Sequence, residues 1–208
     1  MDNLTLLDGM NKDDQQGILS CLDPVKKHYN KGEIILHLSD EISNIGVMES
    51  GLAYLIMTDV DGQRSIVDYY DKSNIFGRPF TTSTERNSYY IIAKTKCTIL
   101  FIDYNKLITC CKNGCDKHYK LIRNMFSITV AKSQMHIDIL SQRNIKNKIM
   151  TYFYYINKLT GMKNFRIPLS LTDLADYISA DRSAMMRELK KLNESKTIIS
   201  KGRNIILL

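Results

Sequence analysis

The chain has no run approaching the eighteen or so uninterrupted apolar residues that a membrane-spanning helix needs. Residues 1–14 are acidic where a secretory signal would be basic and then apolar, so the protein is expected to stay in the cytoplasm. Cysteine is sparse and irregular: five residues, an odd number, argue against a disulfide framework and fit a reducing compartment. The signatures of common enzyme chemistry are missing as well. There is no phosphate-cradling glycine loop, no paired metal ligands of the HExxH type and no Gly-x-Ser-x-Gly, which sets an enzyme aside.

What the chain does have is an asymmetric charge. The formal net charge is +7. From residue 141 onward, thirteen Lys and Arg face five Asp and Glu, so the last third carries the whole positive excess. A polyanion partner for that third is the natural reading, because neutralised phosphates release condensed counterions and supply affinity independent of sequence. The plainer reading is a basic solvated surface. An apolar fraction of 44% is ample for buried cores.

The periodicity of the chain changes near Cys115. After a polar segment expected to be helical over 13–22, short runs rich in Ile, Val, Leu and Tyr occupy 34–38, 45–48, 52–57, 65–70, 89–93 and 97–102. Glycines punctuate them, and Asp61-Gly62 between two runs predicts a tight hairpin, since both turn positions can take positive φ. Many short strands at regular spacing predict an antiparallel barrel or sandwich. Beyond Cys115, Leu121, Met125, Ile128, Lys132, Met135 and Ile139 are spaced alternately by four and three, one narrow stripe along a helix over 116–140. Such a stripe suits a partner helix, with Lys132 as a register-fixing interruption; the alternative is packing against the β domain. A second helix is expected over 143–159, stopped at Thr160-Gly161, and Pro168 breaks the chain after it.

Residues 169–208 carry the most specific pattern. Ser170, three residues before Asp173, forms an imperfect capping box for a short helix that turns Leu174, Ala175 and Ile178 inward. Ser179-Ala180-Asp181 makes a turn, with Asp181 placed to cap the next helix, 182–192. That helix puts Met185, Leu189 and Leu192 on one face and Arg182, Ser183, Met186, Arg187 and Lys190 on or near the other. Lys201-Gly202-Arg203, between two β-like runs, reads as a basic hairpin or wing. Helix, turn, helix and wing in that order point to DNA, where arginine reads guanine O6 and N7 through two parallel hydrogen bonds.

With these segments the sequence resembles the Crp/Fnr superfamily of bacterial transcription regulators over essentially its whole length. The resemblance rests on residues 51–76 with Asp61-Gly62, on Ile75-Phe76-Gly77, on Ala93-Lys94-Thr95, on the long helix and on 169–192. It implies an α+β fold: a cyclic-nucleotide-binding-like β-roll or jelly roll over 1–115, a dimerisation helix over 116–140 and a winged helix-turn-helix over 141–208. It further implies a homodimer on double-stranded palindromic DNA, RNA polymerase as a partner if the protein activates, and a small-molecule effector. By position, Arg182, Ser183 and Arg187 fall on the family's base-reading residues, with Ser170, Met186, Lys190, Lys201 and Arg203 nearby.

The pattern departs from the family in the sensor. Members that bind cyclic AMP carry Phe-Gly-Glu-Leu and then Arg-Ser; here Phe76-Gly77-Arg78-Pro79 and Asn87-Ser88 stand in those places, so an acid has become a base and the phosphate clamp is missing. Cyclic AMP is therefore not the expected effector, although these six residues mark the expected pocket. Some relatives hold iron-sulfur clusters or haem, and Cys110, Cys111, Cys115 and His118 fall within nine residues. Their spacing matches no cluster motif, no cofactor is assigned, and packing is the preferred reading. His28, His37 and His136 lack metal-ligand spacing. The rival function is a cofactor-binding sensor with a non-DNA output.

Overall fold

The computed structural model describes residues 5–38, 44–77, 88–109 and 116–208. By contact density the chain divides into two compact units, residues 1–130 and 131–208, a division that falls inside the long helix.

In the first unit a 3-10 turn at Thr5–Leu7 leads to α1 (Lys12–Leu22), whose N-terminal amide of Asp14 is capped by the Asn11 side chain. Eight strands follow: β1 (Val25–Tyr29), β2 (Ile34–His37), β3 (Asn44–Ser50), β4 (Ala53–Thr58), β5 (Arg64–Tyr70), β6 (Ile75–Gly77), β7 (Ser88–Ala93) and β8 (Cys97–Asp103). They pair antiparallel into two four-stranded sheets, in the orders β1-β8-β3-β6 and β2-β7-β4-β5, which is the expected jelly roll. A short α2 (Tyr104–Ile108) and the long α3 (Asp116–Leu140) complete the set.

The alternation of side chains along β3 and β8 explains the layering. Met48, Ile99 and Phe101 point into the core between the sheets, with Leu36, Leu55, Tyr70, Phe76 and Ile91. Ile45, Val47, Leu100 and Ile102 point the other way and are covered by Leu6, Ile18, Leu22, Leu107, Leu121 and Met125. These two strands are thus apolar on both faces, which is why they read as continuous hydrophobic runs. Gly46 is required between them, because a Cβ there would lie 2.3 Å from the Phe76 ring.

The hairpin joining β4 to β5 differs from expectation. Only Gly62 takes positive φ, and the loop spans 59–63, held by the Asp59 carboxylate accepting from the amides of Asp61 and Gln63. An aspartate that can fold back onto the chain favours this longer loop over a two-residue turn.

The second unit contains the end of α3, then α4 (Ile145–Thr160), β9 (Asn164–Arg166), α5 (Leu171–Tyr177), α6 (Arg182–Glu194), β10 (Ile198–Lys201) and β11 (Asn204–Leu207). Asn144 caps α4, and Gly161 ends it in the left-handed region at φ 67°. Ile149, Tyr152, Phe153 and Ile156 of α4 are buried with Phe165, Leu174, Tyr177, Met185 and Leu189. The wing is a three-stranded sheet, β10-β11-β9, where the sequence predicted two strands; three residues of β9 are too few to announce a strand by pattern. No helix among the described residues is long and apolar enough to cross a membrane.

Candidate nucleic-acid interface

Local hydrogen bonding sets the helix-turn-helix. The Ser170 hydroxyl accepts from the Asp173 amide at 3.1 Å, which caps the helix, and donates to the Asp173 carboxylate at 2.5 Å, a side-chain bond in which the acid engages the capping hydroxyl. The turn places Ser179 at φ 50°, and Lys148 of α4 donates to the carbonyl oxygens of Ile178 at 2.9 Å and Ser179 at 3.4 Å, satisfying acceptors at the end of α5. Asp181 then accepts from the Ala184 amide at 2.8 Å and starts α6.

Burial divides α6 cleanly. Met185, Leu189 and Leu192 are buried, whereas Arg182, Ser183, Met186, Arg187 and Lys190 are exposed. Lys190 also lies 3.7 Å from Glu194, one turn on. The exposed side chains follow a helix start, where unsatisfied amides add positive potential. Behind them Asn193 fixes the wing: its amide group donates to Leu189 O and Ser200 Oγ and its carbonyl accepts from Ser200 N. Neither Lys148 nor Asn193 was singled out from sequence, because a polar residue's tertiary partner has no local signature.

Two residues placed at the interface by sequence are otherwise engaged. Arg203 is half-buried, and its guanidinium donates to Pro168 O at 3.0 Å, so it braces the base of the wing and leaves Lys201 as the exposed cation. The Ser170 hydroxyl is taken up by its cap.

Along the long helix the apolar side chains fall into two stripes that differ in exposure. Leu121, Met125, Met135 and Ile139 are buried within the single chain, with Leu121 and Met125 in the core beneath the first sheet and Ile128 packed on it. Lys132 is half-buried. Most of this stripe is thus covered within the single chain. A second stripe carries the exposed apolar groups: Tyr119, Phe126, Val130, Ile137 and Leu140, again spaced by fours and threes once Arg123 and Ser133 are included. Two heptad stripes therefore share the helix, and the more aliphatic one is the more buried.

At the end of α3, His136 stacks on Tyr177 with centroids 4.1 Å apart and lies 2.9 Å from the Tyr177 carbonyl oxygen. Asp138 accepts from the Tyr155 hydroxyl and from Gln134. The tyrosine bond, then the glutamine, holds the Asp138 carboxyl below its ordinary value, and the same carboxylate raises the Tyr155 hydroxyl.

In the first unit, Phe76 is fully buried, with ring centroids 5.2 Å from Tyr70 and 6.3 Å from Phe101. Gly77 has φ 101°, and a Cβ there would meet the Asn44 carbonyl oxygen at 2.6 Å. Ser88 opens β7 opposite Thr58, in the other sheet from Phe76. Arg78, Pro79 and Asn87 lie outside the described residues, as do Cys110, Cys111 and Cys115. His118 is buried and its Nε2 lies 3.7 Å from Cys21 Sγ. His28 contacts Thr98, and His37 lies beside the Tyr90 ring. Among the described residues no group of three or more His, Cys, Asp and Glu is arranged to hold a metal.

Residues 26–113 match the family of the cyclic nucleotide-binding domain. Over the length of the chain, similarity extends to solved structures. FixK2 from Bradyrhizobium japonicum is 18% identical with a TM-score of 0.70, covering 88% of this chain and 92% of its own. The chain has the Crp/Fnr fold. A cyclic nucleotide-binding domain containing protein from Listeria monocytogenes shares that fold at 15% identity and a TM-score of 0.74, with 93% and 97% covered. A transcriptional regulator of the CRP family from Thermus thermophilus does so at 17% identity and 0.62, with 88% and 91% covered. No curated protein matches the chain in sequence. Within the Crp/Fnr fold, α5 and α6 are the helix-turn-helix, β9 to β11 the wing, and the two four-stranded sheets the β-roll.

Proposed function

We propose that the chain is a sequence-specific DNA-binding transcription regulator that acts as a homodimer. The observation that carries this reading is the division of α6. One face is wholly buried, while Arg182 and Ser183 at its capped start and Met186, Arg187 and Lys190 further along stand exposed, as does Lys201 of the wing. A helix presented in this way fits the major groove, with arginines able to pair with base edges and the wing lysine with phosphate. The regulators of similar fold and the positive excess of the last third support the same reading.

Two copies meet along Tyr119, Phe126, Val130, Ile137 and Leu140 of α3, which sets two α6 helices on one face of the duplex. The β-roll, lacking at the sequence level the acid and the arginine that hold cyclic AMP, responds to a different signal or to none.

The test is a pair of substitutions scored on a panel of duplexes. Arg187→Ala relaxes base preference at one position of each half-site by about 1–3 kcal/mol. Lys201→Ala weakens all duplexes about equally and lowers the salt slope by about one. An unchanged preference in Arg187→Ala removes the base-reading role.

A further inference from the structure

Outside the interface, one nucleophile and one base meet in a place that DNA binding does not use. Cys21 lies in the last turn of α1 and is exposed; His118 lies in the first turn of α3 and is 3% exposed. The His118 Nε2 points at the Cys21 Sγ, 3.7 Å away, within the range of a hydrogen bond to sulfur. The elements bearing them are tied on either side. Lys117 Nζ lies 3.1 Å from Asp14, and Asn124 donates to the carbonyl oxygens of Leu6 and Asp8, each at 3.0 Å. The helices are thus tied on either side of the pair and the thiol is left open to solvent, which sets a nucleophile beside a potential base.

Cys97 provides the contrast within the same unit. It is fully buried, its thiol donates to the Leu52 carbonyl oxygen, and burial pushes it above its ordinary range, which leaves it inert.

We propose that Cys21 and His118 form a peroxide-reactive site, with hydrogen peroxide as the co-reactant. The Cys21 sulfur attacks one peroxide oxygen, a sulfur–oxygen bond forms and the oxygen–oxygen bond breaks. Sulfur is oxidised by two electrons and the peroxide is reduced. The thiol proton passes to His118 Nε2 and from there to the departing hydroxide, which leaves as water. The product is a sulfenic acid on Cys21. Its oxygen then occupies the contact between α1 and the start of α3, so the modification acts on the attachment of the long helix.

The full-length chain is exposed to hydrogen peroxide with dimedone present, and labelling of each cysteine peptide is followed by mass spectrometry, with N-acetylcysteine competing in the same tube. Cys21 is labelled about tenfold or more faster than the free thiol, as assistance by a positioned base implies. His118→Gln brings it down to the free-thiol rate, with folding checked by circular dichroism. Labelling of wild-type Cys21 at the free-thiol rate overturns the proposal, and so does a folded His118→Gln that reacts as fast as wild type. If that variant does not fold, the wild-type competition alone decides.

Discussion

Replacing Phe126 by alanine separates the two stripes of the long helix. Phe126 is 50% exposed in the single chain. A fully covered aromatic side chain removes about 150–250 Å² from water, so its exposed half offers roughly 100 Å² to a partner. In the proposed dimer two such side chains are covered, and at about 25 cal/mol per Å² their burial contributes on the order of 5 kcal/mol. Alanine keeps a small part of that area, which leaves an expected loss of about 3–4 kcal/mol per dimer, or a dissociation constant weakened by roughly 10²–10³-fold. Sedimentation equilibrium over a concentration series reads this directly. Met125, one residue away and fully buried, behaves oppositely: Met125→Ala lowers folding stability by about 2–5 kcal/mol through the cavity it leaves, while the folded chain dimerises as before. A Phe126→Ala chain with an unchanged dissociation constant, beside a Met125→Ala chain that dissociates, would refute the assignment of the outer face.

Gly46→Ala drives a methyl to within 2.3 Å of the Phe76 ring, so thermal melting shows a loss of about 1–3 kcal/mol or more from overpacking of the β-roll. Asp181→Ala removes the cap of α6 and lowers the stability of the second unit by about 1 kcal/mol, measured by denaturant titration. The Asp138–Tyr155 bond makes stability depend on pH at both extremes. Because Asp138 lies below its ordinary 3.8, its contribution is complete above that value and lost as pH falls through the lowered one. Because Tyr155 lies above its ordinary 10.0, its contribution is complete below that value and lost as pH rises through the raised one. Tyr155→Phe therefore flattens the melting temperature against pH at both ends, and equal slopes in the two proteins would contradict this.

The parts of the fold that could be read from sequence are those where local pattern and tertiary burial agree. Strands β3, β4, β5, β7 and β8 were anticipated within a residue or two, because β-branched and aromatic residues fill both sides of a two-layer core. The start of α6 was equally plain, since Asp181 both ends a turn and caps a helix. β1 was missed because Lys26, Lys27 and His28 give it no apolar face, and only pairing with β8 makes it a strand. The inward turn of Arg203 toward Pro168 was missed because a cation beside a glycine tip looks the same whether it faces phosphate or a carbonyl oxygen of its own chain. The burial of the long helix was not legible either: an amphipathic helix with apolar groups on two stripes does not announce which stripe its own protomer covers.

The central claim is tested most directly by selecting from random duplexes with the purified full-length chain, without added ligand, at near-physiological salt. The account predicts enrichment of a two-fold symmetric site whose halves are centred about 34 Å apart, one helical turn, with the bound species a dimer. Recovery of no preferred sequence, or of a single unpaired half-site bound by a monomer, would contradict it.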